Sequence, residues 1–305
     1  MSEQLPASVE LVEVGPRDGL QNERTVLPLA TRVEFIERAI AAGLTRVEVA
    51  SFVNPKKVPQ MADAEALLAA LPRRDGVRRI GLVLNRRGCE RALAAGVDEI
   101  GMVVAATDTF GLKNQGANRA EAIAAWLEIA PLAAAARVPA QVTVSTAFGC
   151  PFEGEVDPGQ VVEVVRRLAP GRPYEVALAD TIGVAVPGQV TALFRQVRAA
   201  LPELRFRGHF HNTRNTGLAN AYAAVTAGVT TLDASLGGIG GCPFAPKATG
   251  NIPTEDLVYM LERMGIDTGV DLEALIATGR WLEAQLGRPV PGMLIKAGAF
   301  PRPAA

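Results

Sequence analysis

The chain has two histidines, and they stand two residues apart in His209-Phe210-His211. The stretch leading to them, residues 204–208, reads as a strand that ends in glycine. Side chains at i and i+2 of a strand leave the same face, so both imidazoles enter one small volume. Two nitrogen donors so placed can hold a single divalent ion. A pair of core or surface histidines that merely alternate would give the same spacing. A glycine-rich run over residues 237–251, with Cys242 inside it, follows at once and supplies a segment able to approach a ligand closely.

Such groups need elements to carry them, and the chain repeats one pattern. Strand-like runs at 9–14, 46–52, 78–84, 99–104, 141–148, 175–179, 205–211 and 230–235 alternate with helical patterns. The helices fall at 28–42, 61–71, 88–95, 119–136, 159–169, 188–201, 216–227 and 254–264. Eight alternating units in about 250 residues predict an α/β fold, a single (β/α)8 TIM barrel. It spans about residues 8–265 of one domain, 1–305, with a C-terminal extension at 266–305 that adds a helix at 272–286 and a proline-rich tail. A doubly wound sheet is disfavoured because no Gly-x-Gly-x-x-Gly follows the first strand.

In a barrel, chemistry gathers at the C-terminal ends of the strands and in the loops beyond them. Arg17, Asp18 and Gln21 follow the first strand, and Glu48 lies within the second. Asp180-Thr181 closes the sixth and the two histidines close the seventh, while Cys242 and Asn251 follow the eighth. Each has a purely structural reading: Asp18-Gly19 as a turn, Asp180 as a helix cap, Glu48 as a satisfied interior carboxylate, Cys242 as a small apolar residue. Their convergence on one face of one barrel favours a site.

Composition narrows the classes. With 31 basic and 32 acidic residues the net charge is −1, which gives no electrostatic case for nucleic acid or an anionic membrane as partner. No apolar run is long enough to span a bilayer, and residues 1–4 open no signal peptide. The three cysteines, Cys89, Cys150 and Cys242, are too sparse for a disulfide framework and fit a reducing compartment. A cytoplasmic protein is expected, and assembly as a homodimer or higher homo-oligomer stays open.

The run Val14-Gly15-Pro16-Arg17-Asp18-Gly19-Leu20-Gln21-Asn22-Glu23 resembles the opening of the 3-hydroxy-3-methylglutaryl-CoA lyases, in the DRE-TIM metallolyase superfamily. The resemblance continues through Ser51-Phe52-Val53-Asn54-Pro55-Lys56, Gly149-Cys150-Pro151-Phe152-Glu153-Gly154, Ala179-Asp180-Thr181-Ile182-Gly183 and His209-Phe210-His211. Its most specific part is Gly237-Gly238-Ile239-Gly240-Gly241-Cys242-Pro243-Phe244-Ala245, with Gly250-Asn251 and Thr254-Glu255-Asp256-Leu257 after it.

The resemblance implies cleavage of an acyl-CoA thioester, 3-hydroxy-3-methylglutaryl-CoA or a close 3-alkyl analogue, to acetyl-CoA and acetoacetate or another 3-oxoacid. It implies Asp18, His209, His211 and Asn251 as ligands of Mg2+ or Mn2+, a hard-ion set with open positions. It implies Arg17 as the cation that stabilises enolate charge, and Asp18 or His209 as the base. Glu48 and Asp180 would orient the centre or relay protons, Cys242 would protonate the enolate or handle the departing product, and Glu13 and Gln21 would give support. No phosphate loop is present; Lys56, Lys57, Lys113 and Asn114, in loops on the catalytic face, could meet CoA phosphates. Asn212 and Arg214 depart from the family's usual residues after the histidine pair, and Arg214 is expected to bring a cation near the mouth, which leaves the 3-alkyl group open. Alternatives are an aldolase or condensing synthase acting on 2-oxoacids, and a barrel-derived binding protein.

Overall fold

Eight short strands, each almost fully buried, close into a parallel barrel in sequence order. They are β1 (Glu10–Glu13), β2 (Arg46–Ser51), β3 (Arg78–Val83), β4 (Glu99–Ala105), β5 (Ala140–Ser145), β6 (Val176–Asp180), β7 (Phe206–Phe210) and β8 (Thr231–Ala234), and β8 pairs back onto β1. Strands covered on both faces read as near-continuous apolar runs, which is why polar residues inside them stand out. The structure, a computed structural model, describes residues 5–241 and 250–301.

The helices ring the barrel: α1 (Leu29–Ala41), α2 (Ala64–Ala70), α3 (Arg86–Ala95), α4 (Asp108–Asn114), α5 (Arg119–Ala135), α6 (Pro158–Leu168), α7 (Pro187–Ala200), α8 (Gly217–Thr226) and α9 (Thr254–Arg263). Beyond them come α10 (Leu272–Leu286) and α11 (Leu294–Ala297). Several boundaries are set by local chemistry. Asn85 caps α3 through the Gly88 amide, Asn118 and Glu121 form a reciprocal cap on α5, and Asp157 before Pro158 starts α6.

Three local features differ from the sequence reading. Met61 belongs to a tight turn begun by Pro59, so α2 starts later than expected, at Ala64. Residues 108–114 form α4 where a loop was expected. Residues 294–297 form a further turn of helix in the proline-rich tail.

The tail bears on the site. Trp281 of α10 packs 6.2 Å from Phe35 of α1, which seats the extension on the barrel wall. The chain then returns beneath the loop after β8. Gly292 donates to the Gly237 carbonyl at 3.0 Å, and the Asp256 carboxylate accepts the amides of Met293 and Leu294. Among the described residues no helix is long and apolar enough to cross a membrane.

Candidate active site

The turn after β1 is built around one carbonyl. Val14 O accepts the amides of Arg17, Asp18 and Gly19 at 3.2, 2.7 and 3.2 Å, which winds residues Gly15–Gly19 into a single wide π-type turn. Such turns recur at functional sites. The Glu13 carboxylate fastens it: Oε1 accepts Gly15 N at 2.7 Å and Leu236 N at 2.9 Å, and Oε2 accepts the Thr254 hydroxyl at 2.6 Å. A Cβ on residue 15 would lie 2.5 Å from that Oε1, so only glycine fits. Burial pushes the Glu13 carboxyl up to about 7, against these hydrogen bonds.

The turn aims Arg17 and Asp18 into the barrel mouth. The Arg17 guanidinium, 9% exposed, gives Nε and Nη2 to Glu48 Oε2 at 2.6 and 2.5 Å, and Nη1 to Asp18 Oδ1 at 2.9 Å. A register irregularity in β2 immediately follows Glu48, a common device for re-aiming a side chain beside an active site. Burial raises the Glu48 carboxyl while Arg17 opposes the rise.

The histidine pair sits across the mouth. The rings of His209 and His211 are 5.2 Å apart. The β7–β8 register sets His209 opposite Asp233, and His209 Nδ1 lies 3.0 Å from Asp233 Oδ2. Asn251 arrives by a short bridge between residues 211 and 251, with Ile252 N donating to Phe210 O at 3.1 Å. Its Nδ2 donates to Asp18 Oδ2 at 2.8 Å and to Ile239 O at 3.2 Å, leaving its carbonyl oxygen as the donor it can offer a cation.

These residues fit a divalent cation. One ligand atom from each of Asp18, His209 and His211 lies within 4.8 Å of the others. His211 Nδ1 is buried without a hydrogen-bond partner, and His211 Nε2 is 3.9 Å from Asp18 Oδ2. Burial, reinforced by the neighbouring His209, drops His211 to about 4, so it stays a neutral imidazole. Asp18 is held down at about 2, where Arg17 and both histidines outweigh burial. A neutral imidazole from His211, a second imidazole held at Nδ1 by Asp233, an ionised carboxylate and an amide oxygen form an oxygen–nitrogen set suited to Mg2+ or Mn2+.

The cluster heads a cavity of about 940 Å³. Gln21 and Asn22 line it, with Asn22 Nδ2 also reaching Gly241 O at 3.1 Å. Ser51 and Ser145 line it too, and neither hydroxyl has a protein partner. Of the residues proposed for phosphates, Lys57 and Asn114 line the cavity. Lys56 and Lys113 do not: the Lys113 ammonium instead stands 4.9 Å over the Phe152 ring. Both Lys113 and Asn114 close α4 and do not lie in a loop.

Asp180 also stands apart from the cavity lining; its two oxygens accept the amides of Val184 and Ala185 at 2.9 and 3.0 Å. Arg214 stays in the loop after β7 and does not line the cavity. It donates to the carbonyls of Ile182 and Gly183, and Asn212 Oδ1 accepts Gly217 N where α8 begins. Both departures therefore serve local structure. Cys242 lies outside the described residues, although Gly241 before it lines the cavity. Cys89 is buried in α3, its thiol pushed up to about 11 by burial. Buried Cys150 accepts the Thr107 hydroxyl at 3.1 Å.

Sequence reasoning missed Asp233, Arg207 and Asn22. Asp233 and Arg207 carried the signal that exposed Glu48, a charged side chain inside an apolar strand. Arg207 also shares the strand face of His209 and His211.

A parallel barrel with a candidate divalent-metal site at the C-terminal ends of β1 and β7 defines the class, that of a TIM-barrel enzyme. The chain belongs to the HMGL-like family, whose model matches residues 8–282, within the DRE-TIM superfamily. It is 46% identical to the (R)-citramalyl-CoA lyase of Chloroflexus aurantiacus, over 95% of both chains. It is 41% identical to the 3-hydroxy-3-isohexenylglutaryl-CoA/hydroxy-methylglutaryl-CoA lyase of Pseudomonas aeruginosa, covering 93% of this chain and 95% of that one. The solved HMG-CoA lyase of Acinetobacter baumannii, in complex with coenzyme A and 3-methylmalate, superposes with a TM-score of 0.92 at 40% identity, over 97% of this chain and 98% of that one. These relatives support a carbon–carbon lyase acting on CoA thioesters.

Proposed function

We propose that the chain is a metal-dependent lyase that cleaves 3-hydroxy-3-methylglutaryl-CoA to acetyl-CoA and acetoacetate. The observation that carries the reading is the junction of Arg17, Asp18, His209, His211 and Asn251 at the head of one cavity. Asp18, His209, His211 and Asn251 would hold the ion, which when bound would supply Lewis acidity to the substrate's oxygen atoms.

The chain's own groups account for the rest. The tertiary hydroxyl must lose its proton, and Asp18 or His209 would accept it. As the C2–C3 bond breaks, C3 becomes the ketone carbon of acetoacetate and the electron pair passes to C2 as a thioester enolate. Arg17, held by Glu48, presents a fixed guanidinium for the enolate oxygen. The enolate then takes a proton at C2; Cys242 is assigned as donor, on the support that its neighbour Gly241 lines the cavity. The unpartnered hydroxyls of Ser51 and Ser145 suit the substrate's terminal carboxylate. Lys57 and Asn114 suit the phosphates of CoA, whereas Lys56 and Lys113 lack the position for it. Glu13 and Asp180 shape the turns after β1 and β6.

A second reading has its own support. Citramalyl-CoA carries its carboxylate one carbon nearer the carbinol, undergoes the same bond cleavage, and is named for the 46% identical relative. Rates on hydroxymethylglutaryl-, citramalyl- and isohexenylglutaryl-CoA, measured with Mg2+ or Mn2+ and with chelator, test the proposal. Highest kcat/KM on hydroxymethylglutaryl-CoA is expected. Preference for citramalyl-CoA would establish the second reading. Condensation of 2-oxoacids without thioester cleavage would move the chain to the aldolases and synthases.

A further inference from the structure

The floor beneath the histidine pair is a buried chain of charges that the cleavage chemistry leaves unused. Arg207 precedes His209 by two residues on β7, so it points into the barrel one layer lower. Its Nε lies 3.0 Å from Asp233 Oδ1, and the other oxygen of Asp233 lies 3.0 Å from His209 Nδ1. The remaining guanidinium nitrogens are also engaged: Nη2 donates to Gln141 Oε1 at 2.8 Å and Nη1 to Glu175 Oε2 at 3.3 Å. Glu175 is shared with Arg46, which Glu99 holds at 2.6 Å. Arg207, Asp233, Gln141 and Glu175 are each no more than 4% exposed.

We propose that Arg207 is a positioning residue for the metal site, acting through Asp233 to fix the ring of His209. The inference rests on reading Asp18, His209, His211 and Asn251 as that site. A ligating imidazole needs its second nitrogen held, and the group that holds it sets both tautomer and ring angle. Asp233 can do so only if it is itself immobile. A single carboxylate in the barrel interior could rotate toward any neighbouring donor. Arg207 removes that freedom because hydrogen bonds to Gln141 and Glu175 fix its guanidinium, and its Nε edge then stands against Asp233 as an ion pair, an arrangement a lysine ammonium on a flexible stem does not reproduce. The three anchors lie on or beside β5, β6 and β8, so the ring of His209 is referred to the closed barrel and not to one strand.

The competing account is that these charges only fill the barrel interior. In that case replacing Arg207 would lower stability and leave the site's affinity for an ion untouched. The metal-stripped full-length chain is titrated with Mn2+, free Mn2+ being read by electron paramagnetic resonance, for the parent, Arg207→Met, Arg207→Lys, Asp233→Asn and the double variant Arg207→Met/Asp233→Asn. Arg207→Met and Asp233→Asn are each expected to weaken Mn2+ binding ~10- to 100-fold, as changes behind a ligating histidine do. Arg207→Lys should recover part of that loss. The double variant should bind no more weakly than the weaker single variant, since both act through one ring. Affinity in Arg207→Met within about two-fold of the parent, the scatter of independent sites, overturns the inference, as do losses that multiply in the double variant. If Arg207→Met does not fold, Arg207→Lys decides by the same criterion. Absence of Mn2+ binding by the parent chain overturns the metal-site reading and this inference with it.

Discussion

Replacing Arg17 by glutamine separates what the residue does for the fold from what it does for the reaction. Arg17→Gln deletes three charged contacts, two to Glu48 and one to Asp18. Glu48 is 5% exposed, and among the described residues Arg17 is the cation paired with it. Removing one partner of a buried pair typically costs ~3–5 kcal/mol, because the other charge is left without compensation. For a chain of this size that lowers the melting temperature by roughly 5–8 °C. The turnover loss has another origin. A fixed donor to a developing oxyanion is worth ~3–4 kcal/mol, so kcat for thioester cleavage should fall about 100- to 1,000-fold.

Adding Glu48→Gln pulls the two effects apart. The double variant buries no uncompensated carboxylate, so much of the stability should return while turnover stays low. The pH dependence supplies a check of sign. Burial raises the folded Glu48 carboxyl and Arg17 opposes it, so Arg17→Gln raises it further. A group whose folded value exceeds its unfolded one contributes stability at low pH and loses it as pH rises. The single variant should therefore gain stability on acidification relative to the parent, and the double variant should not. Thermal melts across pH and steady-state cleavage assays give both readouts. Turnover of Arg17→Gln within about ten-fold of the parent, well short of an oxyanion donor's worth, would refute the assignment. So would a double variant that regains turnover together with stability.

Three further outcomes are expected. Chelation should abolish cleavage and Mn2+ should restore it, while His211→Ala, which removes a neutral buried donor, should weaken Mn2+ binding by more than roughly 100-fold, beyond what changes behind a ligand cost; full activity in metal-free buffer would contradict this. Cys242→Ala should lower turnover ~100- to 10,000-fold, the range for a positioned acid, with Mn2+ affinity unchanged, as stopped-flow cleavage and metal titration would show. Burial raises Glu255 to about 8, so its stabilising share is complete below the unfolded value near 4.5 and is lost as pH climbs through 8; Glu255→Gln, which mimics the protonated group, should flatten chemical-denaturation stability between pH 5 and 8, and an unchanged slope would exclude that role.

What the sequence made legible was local. Alternating apolar periods and glycine punctuation marked eight strand–helix units, and the i, i+2 rule alone put His209 and His211 in one volume. α4 escaped because its stability is borrowed. Its preceding Thr107 gives its hydroxyl to Cys150 instead of a helix amide, and buried Phe110 anchors the turn by tertiary packing. Lys56 and Lys57 were indistinguishable as neighbours in a loop, yet only Lys57 lines the cavity. Asp180 and Asp233 show the deeper reason. Both are single carboxylates at the end of a buried strand, and composition gives them equal standing. Asp180 is consumed by two amides in its own loop, whereas Asp233 faces the imidazole proposed as a ligand because the β7–β8 register sets it opposite His209. Strand spacing within one chain segment cannot encode that register, which exists only once β8 has paired with both β7 and β1. The donors of this site are therefore written in the sequence, but the groups that hold them are assigned by closure of the barrel.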